Sequence, residues 1–125
     1  MKATLNHLHH QATDWLRELD FYTEELSILT KRLEETVARN TAQDVLAQAE
    51  HFQNKFIVLK KEIDELKNNV GVREGVIENM TKEKPTHAHE KMPLPEDVIL
   101  EDMKDLIHTF AETRFEFNKF LSKTF

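Results

Sequence analysis

Five of the seven histidines in this 125-residue chain fall in two short stretches, His7, His9 and His10 near the start and His87 and His89 much later. Neutral imidazoles brought together bind Zn²⁺, Ni²⁺ or Cu²⁺, and imidazoles that titrate near neutral pH make a proton-sensitive patch. His7, His10, His87 and His89 are therefore the candidate metal ligands, on one condition: the fold must carry both stretches to the same end. The plainer reading of the same residues is a polar, His-rich end of the molecule.

A sixth imidazole, His108, precedes Glu112 by four residues, a spacing also found on hemerythrin-like helices. Here the other ligands of that family have no matching positions, and both residues fall opposite the apolar Leu106 and Phe110, so a solvated surface pair accounts for them. The chain has no cysteine, which removes disulfides, thiolate metal sites and cysteine nucleophiles. It also has no glycine-rich phosphate loop, no Gly-x-Ser-x-Gly and no metalloprotease helix motif. An enzyme is not expected, and neither is an organic cofactor.

A different chemistry is offered by Phe21 and Ile28. They lie seven residues apart on one stripe, about 150° from the apolar face of their helix, and are expected to face solvent. A stacked pair of large exposed apolar groups suits contact with a protein partner or a second copy of the chain. Phe115 and Val58 are off the apolar faces of their own helices in the same way.

The elements that must position these groups are long helices. From Val45 to Met80, every third or fourth residue reads Val45, Ala49, Phe52, Phe56, Leu59, Ile63, Leu66, Val70, Arg73, Ile77, Met80, and ten of the eleven are apolar. A 4-3 rhythm of this length is the seam of a helix packed on other helices. Before it runs a second seam: Leu5, Leu8, Ala12, Trp15, Leu19, Tyr22, Leu26, Leu29, Leu33, Thr36. His9, Leu16, Thr23, Thr30 and Val37 sit beside it and widen it. A third follows Pro95: Ile99, Met103, Leu106, Phe110, Thr113, Phe117, Phe120, widened by Leu100, Ile107 and Leu121. No Asp, Glu or His occupies a seam position. The aromatics Trp15, Tyr22, Phe52, Phe56, Phe110, Phe117 and Phe120 all keep seam spacing and read as core filling.

Helices are expected over about 4–39, 42–80 and 95–123. Asn40 suits the end of the first helix, and Thr41 with Asp44 resembles a capping box opening the second. So short a connection makes an antiparallel hairpin. Facing seam residues should then have numbers adding to 81 or 82, as in Leu26 with Phe56 and Leu19 with Ile63. Gly71 and Gly75 are the weak point of the second helix at roughly 1 kcal/mol each, yet the rhythm continues through them, so one unbroken helix is expected. Residues 81–94 carry two prolines and no rhythm, which reads as a mobile loop. A segment of that length reaches about 45 Å, so the direction of the third helix stays open, with a local turn the simpler course. Pro95 is placed at the first helical position, with Glu96 and Asp97 behind it at the positive helix end.

The expected fold is all-α: one domain over 1–125, an elongated antiparallel three-helix coiled-coil bundle made of a long hairpin plus a third helix. The first two helices would be about 54 and 58 Å long. In outline, with a tryptophan on the first seam, it resembles spectrin repeats. That resemblance is architectural and implies no actin or membrane-skeleton role.

The formal charge is −6, divided as −2, −2, +1 and −3 over residues 1–41, 42–80, 81–94 and 95–125. No segment carries the dense basic stripe that a phosphate backbone or an anionic membrane surface needs. With no apolar signal core after Met1 and no transmembrane run, a cytoplasmic protein is expected. Two function classes remain. One is a non-enzymatic interaction or scaffold module, self-associating or binding a protein partner. The other is a metal-handling or sensing bundle working through its His-rich end.

Overall fold

The computed structural model describes the backbone of residues 2–81 and 95–124, with side chains over 7–76 and 95–124. Three helices account for nearly all of it: α1 (Lys2–Arg39), α2 (Gln43–Thr81) and α3 (Glu96–Thr124). They form a helical bundle, and the seam positions are its core. On α3 all seven seam residues are buried. On α2 the seam is buried from Val45 to Val70, and on α1 it is buried at Ala12, Trp15, Leu19, Leu26, Leu29, Leu33 and Thr36. Leu8 and Tyr22 are half-buried, while Leu5, Ile77 and Met80 lie outside the described side chains. Leu19 and Ile63, which should face one another, are both fully excluded from solvent.

The hairpin turn is three residues long. The Asn40 N–H donates to the Thr36 carbonyl at 2.9 Å, and Asn40 Oδ1 accepts the Ala42 N–H at 3.1 Å. The expected Thr41 cap is displaced by one residue, because the first α2 bond runs from the Leu46 N–H to the Ala42 carbonyl. Ala42 thus occupies the cap position, and the Asn40 side chain supplies the turn's polar closure. A similar shift occurs at α3. The Val98 and Ile99 N–H groups both donate to the Pro95 carbonyl, so Pro95 caps the helix from outside instead of opening it. Gly71 and Gly75 both lie within the unbroken α2.

The hairpin register is the expected one. Leu26 and Phe56 line one cavity and Leu33 and Ala49 the next, pairs that each add to 82. The third helix is oriented by long-range contacts. Gln11 Nε2 donates to Glu96 Oε1 at 2.7 Å, Tyr22 packs on Phe110, and Arg114 pairs with Glu25. Rising numbers on α1 meet rising numbers on α3, so these two helices run parallel. Against α2 the order reverses: Leu66 lies beside Leu106, Lys55 pairs with Glu116, and Phe52 packs on Phe120. The topology is up-down-up, and α3 begins at the end where α2 stops.

Both α1 and α3 pack closely on α2 and approach each other less closely. Where α2 meets α3, Phe52, Phe56, Phe117 and Phe120 cluster with centroids 5.2–6.4 Å apart, mostly tilted or edge-on. Such pairs contribute about 0.5–1.5 kcal/mol each beyond area burial. The buried polar residues among those described are Thr36 and Thr113. The Thr36 hydroxyl is satisfied within its own helix, donating to the Arg32 carbonyl at 2.8 Å.

Candidate functional site

The His-rich end is built from the first turns of α1 and the last described turns of α2. His9 Nδ1 lies 2.8 Å from Glu74 Oε1, which ties α1 to α2, and its ring is 6.2 Å from that of His10. His7 and His10 are exposed and three residues apart, so they share a helix face. His87 and His89 lie outside the described residues. Among the described residues no group of three or more His, Asp or Glu side chains is arranged to hold a metal ion. One turn further along, Gln11 gives its Nε2 to Glu96 while its Oε1 is buried without a hydrogen-bond partner. Carboxylate contacts therefore join α1 to both other helices at this end.

His108 and Glu112 form the expected surface pair, Nε2 to Oε1 at 2.8 Å, with both side chains more than half exposed. More generally, no Asp, Glu or His is buried among the described side chains. Two groups have clearly displaced ionisation. Burial raises the Tyr22 hydroxyl above its ordinary value, helped by the neighbouring Glu18 and Glu25 and opposed by Arg114. The Lys55 ammonium, donating to the Glu116 carboxylate at 2.9 Å, holds that carboxyl below its ordinary range.

The apolar exceptions on the surface are better defined. Phe21 is 53% exposed and Ile28 52%, as expected from their stripe. Phe115 and Val58 are exposed too, with the Lys119 ammonium 5.9 Å from the centre of the Phe115 ring. Leu100, expected to widen the α3 seam, is instead 41% exposed. It lies one turn after Glu96, whose carboxylate meets Gln11, and so on the flank of α3 that turns toward α1, where the helices approach less closely. Ile57 is an exposed residue that the seam pattern did not single out. Its signal was available: between the seam residues Phe56 and Leu59, both Ile57 and Val58 must turn outward.

Open troughs run between the helix pairs, three of which are described. One of about 740 Å³ lies between α1 and α2 over a floor of Leu26, Leu33 and Phe56, with Lys31, Glu34, Gln53 and Lys60 at its rims. A second of about 460 Å³ continues it toward Val37 and Leu46. Between α2 and α3 a smaller one of about 300 Å³ is lined by Glu62, Glu65, Asp102 and Asp105. All three are grooves between neighbouring side chains, and none brings an acid–base pair onto a buried surface. No helix among the described residues is long and apolar enough to cross a membrane. The chain matches no protein-family model, no curated protein and no solved structure.

Proposed function

We propose that this chain is a non-enzymatic interaction or scaffold module that works through its helix faces. The observation carrying this reading is the division of side chains between inside and outside. Every described carboxylate and imidazole lies at least partly in solvent, outside the desolvated setting that acid–base catalysis draws on. Large apolar side chains off the seams, Phe21, Ile28 and Phe115 among them, stand on the surface instead. A rod with a dry interior and apolar groups on its sides is suited to holding other helices. With a net charge of −6, it is suited to protein surfaces in the cytoplasm more than to nucleic acid or anionic lipid.

The test is site-specific photo-crosslinking in the source cells, with a crosslinking residue placed at position 21 or 28 and, as a control, at the ion-paired surface position 64. Discrete protein adducts from 21 or 28, identified by mass spectrometry and absent from 64, support the reading. Adducts equally distributed over all three positions, or none at all, reject it.

A further inference from the structure

Toward the His-rich end the last buried residues are Ala12 on α1, Val70 on α2 and Ile99 on α3. Beyond them, no described side chain of any of the three helices is buried. The next seam position after Val70 holds the half-buried Arg73, where the rhythm up to that point places an apolar residue. Gly71 and Gly75 stand one turn apart in the same stretch of α2, and among residues in a helix interior only proline is less favourable than glycine. No close approach calls for them, since a Cβ at either position would meet nothing within 4 Å. What joins the helices here is polar. His9 Nδ1 meets Glu74 Oε1 at 2.8 Å, and Gln11 donates to Glu96. Gln11, which the hairpin register sets level with Gly71, keeps its Oε1 buried without a hydrogen-bond partner, a cost that the closed arrangement carries and an open one would not.

We propose that α2 is hinged at Gly71–Gly75: the turns from there to Thr81 unwind and release α1 as a local unit, while the bundle beyond Ala12, Val70 and Ile99 stays closed. The His9–Glu74 contact is the clasp that holds the closed form. A helical segment this short is marginal in water by itself, so its docking on α1 is what keeps it helical. Opening hydrates Gln11 Oε1, and Leu8, Val72 and Val76, half-buried when the end is closed, gain exposure. The open form is a minor state, on the order of 1% populated. This device is independent of the interaction reading above.

Amide hydrogen exchange of the purified full chain, followed by NMR in increasing sub-denaturing urea, tests the hinge. Amides of residues 75–81 should exchange about 100-fold more slowly than in an unstructured chain, and at least about tenfold faster than those of 56–66 on the same scale. Their rates should ignore low urea, because little surface opens, whereas the rates at 56–66 should climb with it. Gly71→Ala with Gly75→Ala should slow exchange at 75–81 about tenfold. His9→Ala, which leaves α2 itself unaltered, should hasten it about two- to fivefold. Plain fraying of a helix end would not respond to a change on α1. Urea dependence at 75–81 parallel to that at 56–66, exchange there at the unstructured-chain rate, or indifference to the glycine pair or to His9→Ala would each overturn the proposal.

Discussion

Replacing Gly71 and Gly75 by alanine should make the protein more stable, and the size of the gain follows from the structure. Both glycines lie inside α2, where glycine is roughly 1 kcal/mol worse than alanine because the unfolded chain gives up more freedom. An added Cβ at either position meets no atom within 4 Å, so no clash offsets the gain. Val70, just before Gly71, is fully buried and anchors the helix at that point. Measured substitutions of this kind yield about 0.4–1 kcal/mol each, hence about 1–2 kcal/mol for the pair. For 125 residues, with an unfolding entropy of about 2.1 cal/mol/K per residue, that corresponds to a rise in Tm of about 4–8 °C. Thermal unfolding followed by circular dichroism reads the shift, and urea unfolding should show a higher midpoint at unchanged slope. An unchanged or lowered midpoint in the double variant would refute the reasoning, because it would mean that α2 does not remain helical through residues 71–75 in solution.

Neighbouring positions on α1 should respond in opposite ways: Leu19→Ala, fully buried, should cost about 2–5 kcal/mol, whereas Phe21→Ala, half exposed, should change urea stability by less than about 1 kcal/mol. Glu116 should titrate below its ordinary value of 4.5 in an NMR experiment, and Lys55→Met should bring it back up. Since the folded-state value is the depressed one, the Lys55–Glu116 contact adds stability above the unfolded-state pKa and loses it as pH falls through the folded-state pKa. Tyr22 has the opposite sign: its raised value adds stability below pH 10.0, which is lost as pH rises through the folded-state pKa, and Tyr22→Phe should flatten the alkaline limb of a Tm–pH curve. A zinc titration should leave Tm unchanged. Stoichiometric uptake that His87→Ala with His89→Ala removes would favour the metal-handling alternative instead.

Most of the architecture was legible along the chain, because burial on a packed helix repeats about every 3.5 residues and the three seams keep that period. The spacing was enough to assign Leu19, Ile63 and Phe117 to the interior, to pair Leu26 with Phe56, and to turn Phe21 and Ile28 outward. Local chemistry was less decisive at the helix ends. Thr41 and Pro95 are both good starting residues, yet each helix begins one position later, since the choice among adjacent caps depends on where the turn brings the first carbonyl. Only the tertiary structure could decide which way α3 runs, because a long connection allows either direction and the contacts of Gln11, Tyr22 and Glu25 select one. It alone could show that α1 and α3 stand apart, leaving Leu100 exposed. Periodicity reports how far a side chain points from its own helix axis; the distance to the next helix is a property of the assembled packing.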